Sequence, residues 1–176
     1  MKLVETSLAG AYVIEIDRLG DERGFFARTF CAETFRAHGL APCVSQCSVS
    51  FNARRGTLRG MHFQAAPYEE EKLVRCTRGA IWDVIIDLRA GSPTYSKWFG
   101  AELTGDNHRA LYIPKGLAHG FKTLSDTTEV LYQMSTPYVA GAGTGVRWSD
   151  PAFAVVWPGG EPILSERDAT YPDFKA

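Results

Sequence analysis

The segment from Ala80 to Arg89 constrains the fold more than any other stretch of the 176 residues. Trp82, Val84, Ile86 and Leu88 fall at one parity, and Ile81, Asp83, Ile85 and Asp87 at the other. That period of two predicts a β-strand with one face against a core. Gly79 before it and Gly91-Ser92-Pro93 after it are turn residues. Lys72–Thr77, Ala110–Ile113, Phe121–Leu124, Thr128–Met134 and Ala154–Trp157 are also short and rich in β-branched or aromatic residues, with glycine or proline near most of them. Many short strands at nearly even spacing predict an all-β sandwich or barrel. Only Ala32–His38 reads as a helix, whereas a doubly wound α/β fold needs several of ten residues or more. No repeat, low-complexity tract or charged tail divides the chain, so residues 1–176 are expected to form a single domain. The proline-bearing stretch from Pro158 to Ala176 is expected to pack on its surface.

Composition narrows the function. Nineteen Lys and Arg against twenty Asp and Glu give a net charge of −1, with no basic excess to neutralise a nucleic-acid backbone. The longest apolar runs are cut by Asp83 and Asp87 and fall far short of the ~20 residues that cross a bilayer. Met1-Lys2-Leu3-Val4-Glu5 has an acid where a signal peptide would continue its apolar stretch, so a cytoplasmic location is expected, without membrane or nucleic-acid partners. Cys31, Cys43, Cys47 and Cys76 form no CxxC pair and are expected to be small, semi-buried thiols.

Of the four histidines, His38 and His108 sit beside turn residues and read as solvated, while His62 and His119 lie in dense strand-edge stretches. The two could ligate a metal from neighbouring strands. However, Gln64 stands where another histidine ligand would be expected, and Glu69, Glu70 and Glu71 beside Tyr68 read as an exposed loop, so the ligand count falls short. Acid–base chemistry suits these residues better. A neutral imidazole can take a proton from carbon next to a carbonyl, provided a carboxylate orients it and a cation sits near the developing enolate. Arg59 and Lys72 are candidate cations. Arg59 is three residues from His62, an odd spacing that puts the two on opposite strand faces unless a bulge or turn at Gly60 converges them. Tyr132, at the same parity as Val130 and Met134, is either a proton donor for the opposite face or a core tyrosine with a satisfied hydroxyl.

Several motifs occur in one order. They are Asp21-Glu22-Arg23-Gly24-Phe25-Phe26, Gly56-Thr57-Leu58-Arg59-Gly60-Met61-His62-Phe63-Gln64, Lys72-Leu73-Val74-Arg75, Asp83-Val84-Ile85-Ile86-Asp87-Leu88-Arg89, Ser92-Pro93-Thr94, Ile113-Pro114, Ala118-His119-Gly120-Phe121 and Arg147-Trp148-Ser149-Asp150-Pro151. From about Gly20 to Asp168 the chain resembles the dTDP-4-dehydrorhamnose 3,5-epimerase family. The resemblance implies a cupin-like jelly roll with few short helices and a homodimer with no metal or other cofactor. It also implies a nucleoside diphosphate–4-keto-6-deoxyhexose substrate that is epimerised at C3, C5 or both. By the same resemblance His62 is the general base, Asp168 its carboxylate, Tyr132 the opposite-face acid and Lys72 the cation near the C4 oxygen. Arg23, Arg59 and His119 would contact diphosphate and sugar. Gln46, Ser48, Tyr138, Arg167 and Phe26 would lie against the substrate. Arg28, Ser48 and Gly143 depart from the family pattern, which has glutamate, asparagine and glutamate at those places. A 3,4-ketoisomerase, a non-catalytic sugar-nucleotide binding protein and a metal-dependent cupin oxygenase are the alternatives.

Overall fold

The computed structural model of the chain describes residues 1–175. Its elements are β1 (Lys2–Glu5), β2 (Tyr12–Glu15), β3 (Leu19–Asp21), β4 (Gly24–Phe26), α1 (Ala32–Ala37), β5 (Gln46–Asn52), β6 (Leu58–Gln64), β7 (Lys72–Arg78), β8 (Ala80–Asp87), β9 (Trp98–Thr104), β10 (Ala110–Ile113), β11 (Leu117–Thr123), β12 (Thr128–Met134), β13 (Gly143–Gly145) and α2 (Glu166–Ala169). A six-stranded sheet, ordered β1-β2-β10-β7-β12-β5, faces a five-stranded sheet, ordered β13-β6-β11-β8-β9, and β3 and β4 form a separate hairpin. Neighbouring strands pair antiparallel, giving the all-β sandwich that the short, evenly spaced strands predict. No described helix is long and apolar enough to cross a membrane.

The main core lies between the sheets. Val74, Cys76, Leu111, Ile113 and Val130 come from one sheet, and Ile81, Ile85, Leu103, Leu117 and Phe121 from the other. Both outer faces are covered as well. Phe35 of α1, with Phe30 and Leu40, packs on Ile14, Leu73, Ala110 and Tyr112. Val146, Phe153, Val155, Trp157 and Phe174, all from the C-terminal quarter, pack on Met61, Val84, Ile86 and Ala118.

Three expectations need correcting. β8 buries both faces, not one, because the C-terminal segment covers Trp82, Val84 and Ile86 while Ile81 and Ile85 face the central core. Ala154–Trp157 is not a strand. Ala154 has φ of +49°, and Val155 and Trp157 lie over a sheet face without joining an edge, which explains their apolar character. The cysteines divide into buried Cys76, intermediate Cys31 and exposed Cys43 and Cys47, Cys43 in the loop before β5 and Cys47 on β5, a sheet edge that leaves its outward residues in solvent. The helix spans Ala32–Ala37, and its N-cap, Cys31, makes no side-chain cap bond.

The acids that interrupt β8 are fully buried and paired. Asp87 accepts from Arg89 Nε and Nη2 (2.9 and 2.7 Å) and from the hydroxyls of Ser92 and Thr94 (both 2.6 Å). Burial alone would raise its pKa, but these donors outweigh burial and hold the carboxyl well below its ordinary range. Residues after Pro158 are tied to the start of β6, where Leu58 N–H donates to Ile163 O (2.9 Å) and Ile163 N–H to Gly56 O (2.8 Å). This anchor fixes where α2 begins.

Candidate active site

A cavity of about 360 Å³ opens between the sheets, within the usual size of small-molecule sites, roughly 300–1,000 Å³. Its walls are built by strand register. On β11, His119 pairs with His62 of β6, but Phe121 pairs with Arg59, so two steps on β11 match three on β6. The surplus residue is the bulge that the Arg59/His62 spacing requires, and both side chains line the cavity. Glycine at position 60 makes this possible. Its φ is +139°, and a Cβ there would stand 2.5 Å from Gly120 Cα. The facing sheet contributes Tyr132 and Met134 from β12, Lys72 from β7 and, opposite Tyr132 in register, Ser48 from β5.

His62 Nε2 lies 2.6 Å from Asp168 Oδ1, which leaves Nδ1 free. Asp168 is 4 % exposed, yet the His62 side chain keeps 39 % of its surface open. The carboxylate is held on several sides. Gly60 N–H donates to Oδ2 (3.3 Å), and the residue's own N–H donates to Ser165 Oγ, the N-cap of α2 (3.1 Å). Burial pushes the Asp168 pKa up, but the bond and charge of His62 and the Gly60 N–H outweigh it, so the group sits below its ordinary range. An ionised carboxylate on one ring nitrogen stabilises the imidazolium that forms when the other takes a proton.

A second pair stands deeper. His119 Nε2 is 2.7 Å from Asp83 Oδ1, and both residues are buried. Asp83 Oδ2 has no partner among the described residues. The His119 ring meets Tyr132 edge-on at 5.8 Å. Burial raises the Tyr132 phenol far above its usual pKa, Asp83 raises it further and Arg59 opposes both, so the hydroxyl stays protonated. Lys72 Nζ donates to Glu70 Oε1 (2.9 Å) and to the carbonyl oxygen of His62 (3.2 Å). Arg59 Nε donates to Asn52 Oδ1 (2.8 Å). At the mouth, Arg167 Nη2 donates to Gly143 O (3.0 Å) beside the exposed Tyr138 ring.

The structure therefore brings His62, Asp168, Tyr132, Lys72, Ser48, Arg59, His119, Tyr138 and Arg167 together around one space. Gln46 stands just behind, its Oε1 accepting from Tyr138 N–H (2.7 Å). Arg23 and Phe26 are not there. Their hairpin rests on the 105–109 turn, where Phe25 meets the His108 ring at 5.1 Å and Arg18 Nη2 donates to Asp106 O. The Arg23 side chain, 84 % exposed, pairs with Asp21 alone among the described residues, and Phe26 is 74 % exposed. Departing residues Ser48 and Gly143 line the cavity, whereas Arg28 does not. Glu70, read from sequence as part of an exposed loop, is in fact buried against Lys72. Its signal was its position two residues before Lys72. Asp83 signalled itself as one of two acids in an otherwise apolar strand, and Ser50, Phe63, Thr136 and Thr144, which line the cavity, carried no signal. Among the described residues no three His, Cys, Asp or Glu side chains gather as metal ligands.

The family model for dTDP-4-dehydrorhamnose 3,5-epimerase matches residues 5–176. A dTDP-4-dehydrorhamnose 3,5-epimerase of Sinorhizobium fredii is 43 % identical over 96 % of this chain and 87 % of its own. The crystal structure of the Bacillus anthracis enzyme of that name, with TDP and PPi bound, superposes with a TM-score of 0.94 at 42 % identity, covering 98 % of this chain and 99 % of the other. A Legionella pneumophila epimerase in complex with dTDP-4-keto-L-rhamnose superposes at 0.89 with 34 % identity, covering 99 % of both chains. Matches of this extent, over a fold that superposes on theirs, show that the chain belongs to the dTDP-4-dehydrorhamnose 3,5-epimerase family.

Proposed function

We propose that the chain is a cofactor-independent isomerase that epimerises a dTDP-linked 4-keto-6-deoxyhexose at C3, C5 or both. The observation that carries this reading is a carboxylate-braced imidazole and a protonated phenol lining one sugar-sized cavity. The 4-keto group acidifies hydrogen on both adjacent carbons. His62, through its free nitrogen, removes the proton from one face. The C–H electrons form a carbon–carbon double bond to C4, and the C4 oxygen takes the charge beside the Lys72 ammonium. Asp168 stabilises the imidazolium. Tyr132 then returns a proton to the carbon from the other face, which inverts it, and solvent resets both groups. The carbanion is far more basic than a phenolate, so a phenol with a raised pKa still suffices as donor. Arg59 and His119, with Ser48, Gln46, Tyr138 and Arg167 nearer the mouth, hold sugar, diphosphate and base. Arginine suits a diphosphate because its planar fork donates in pairs.

Residues 1–176 act as one catalytic domain in the cytoplasm, with neither membrane nor nucleic-acid partners. The working unit is a homodimer. Arg23 and Phe26 lie outside their own cavity, and edge strand β5, whose Ser48 and Ser50 line the cavity, exposes Val49 and Phe51 on its other face. A second copy's β3–β4 hairpin laid there supplies the missing cation and aromatic ring. Light scattering then gives twice the chain mass. Mixing inactive His62→Ala and Arg23→Ala chains restores about a quarter of wild-type activity, since half the dimers are mixed and each carries one intact site.

The direct test is NMR of dTDP-4-keto-6-deoxyglucose with enzyme in heavy water, with CDP-, GDP- and UDP-linked ketosugars as comparisons. Deuterium entering C3 or C5 with inversion is expected, and persists after dialysis against a chelator. Tight binding without exchange would leave only a binding protein, and a product with its carbonyl at C3 would mean a ketoisomerase.

A further inference from the structure

We propose that Glu70 reads the C3 hydroxyl of the substrate, so that with Lys72 it grips the edge of the C3 enediolate and takes no part at C5. The assignment rests on the epimerase reading above and makes Glu70 a residue specific for one of the two carbons. Its side chain is 6 % exposed and lines the cavity. Oε1 receives the Lys72 ammonium at 2.9 Å, while Oε2 is buried with no hydrogen-bond partner among the described residues. A carboxylate can accept about four hydrogen bonds, and leaving a buried oxygen unmet is costly, so the site is one donor short until a ligand arrives. The backbone here is fixed. Thr136 Oγ1 donates to Glu69 O (3.1 Å), Glu71 N–H to Ser135 Oγ (2.9 Å) and Ser135 N–H to Glu71 O (3.0 Å).

The two candidate carbons differ in what they carry. In a 4-keto-6-deoxyhexose, C3 bears a hydroxyl and C5 a methyl group. Loss of the C3 proton to His62 makes a C3–C4 double bond, with O3–H and the charged O4 side by side in one plane. An ammonium and a carboxylate oxygen 2.9 Å apart match that edge, Lys72 donating to O4 and Glu70 accepting from O3–H. Their opposite charges offset each other, so the carboxylate does not oppose the enediolate as a lone anion would. Loss of the C5 proton instead makes a C4–C5 double bond, and O3–H then stays on a tetrahedral C3, out of the plane that Lys72 and Glu70 would grip. In the C3 enediolate the hydroxyl reaches the free lone pair of Oε1, or Oε2 after a turn about χ3, a soft torsion.

The test measures deuterium entry at C3 and at C5 separately, for dTDP-4-keto-6-deoxyglucose and its 3-deoxy analogue. On the hydroxylated substrate Glu70→Leu is expected to slow C3 exchange ~10–100-fold more than C5 exchange, the usual strength of a hydrogen bond to a charged group. Glu70→Gln, which keeps an acceptor, recovers part of the difference. On the 3-deoxy analogue the contact is absent from the ligand side, so wild type and variant exchange C3 equally fast. Equal slowing at both carbons, or equal slowing of both substrates, would show that Glu70 acts only by placing Lys72, and no slowing at all would show that it has no role; each result overturns the assignment. Should Glu70→Leu not fold, Glu70→Gln carries the same comparison. Wild type that exchanges neither carbon overturns the epimerase reading itself, a result distinct from all of these.

Discussion

Two imidazole–carboxylate pairs sit side by side across the β6–β11 register, and they are unlike in every respect but their chemistry. His119 and Asp83 come from adjacent strands of one sheet and are both buried. His62 comes from the bulged strand, takes its carboxylate from α2 at the end of the chain, and keeps over a third of its side chain in the open. The His62 side chain is 39 % exposed and that of His119 4 %, so the His62–Asp168 pair is much the more open to a ligand. An imidazole–carboxylate pair becomes a proton shuttle through exposure on one side and firm bracing on the other. Buried almost completely, the His119–Asp83 pair braces the cavity wall beneath Tyr132 and meets the ligand space only at its lining.

Breaking each pair should give opposite phenotypes. His62→Ala is expected to cut exchange and turnover by ~10³–10⁴-fold, the upper range of general acid–base catalysis, with modest loss of stability because Asp168 keeps Gly60 N–H as a donor. Parallel kinetics and thermal melts check this. His119→Ala should show the reverse emphasis. It leaves Asp83, already one partner short, as an unpaired buried charge, and chemical denaturation should report a loss of roughly 3–5 kcal/mol. If the melts rank the two variants the other way, the comparison is wrong.

Gly60→Ala tests what makes the open pair possible. The added Cβ meets Gly120 backbone, and the positive φ is closed to alanine without strain, so ~1–3 kcal/mol of stability should go. Activity should fall with it, because Arg59 and His62 no longer share a face. The smallest effect sharpens the contrast through pH. Asp168 and Asp87 both have folded pKa values below the ordinary carboxylate value of about 3.9. Each contributes stability that is complete above that value and lost as pH falls toward the folded pKa. Melting temperature should therefore hold from pH 7 to 5 and decline below 4, and Asp87→Asn should flatten the decline.

What the sequence revealed follows the range of the forces involved. Alternation located β8, and short runs of β-branched and aromatic residues located β10 and β12, nearly to the residue, because such strand signals are local. Parity arithmetic showed that Arg59 and His62 would converge only through a bulge or turn at Gly60, and the β6–β11 register has that bulge. The second buried face of β8 was not legible, since its cover, Phe153, Val155, Trp157 and Phe174, lies some seventy to ninety residues on. A still longer separation, 106 residues, hid the partner of His62, which only the family resemblance named. Glu70 was missed for another reason. Three consecutive glutamates read as a solvated run, and only the third dimension turns the middle one inward against Lys72. The resemblance also named Arg23 and Phe26 as substrate contacts, yet one chain leaves them outside its own cavity, where a single sequence carries no sign of a second copy.

The claim at the centre of this account is that His62 and Tyr132 work on opposite faces of one carbon. Tyr132→Phe in heavy water tests it most directly, with loss of the C–H signal and inversion of the carbon followed in the same sample. The account predicts that deuterium still enters, because His62 can remove and return the proton on its own face, while inversion falls by at least a hundredfold. Inversion that keeps pace with exchange in this variant would contradict the account, because the phenol would then not be the second acid.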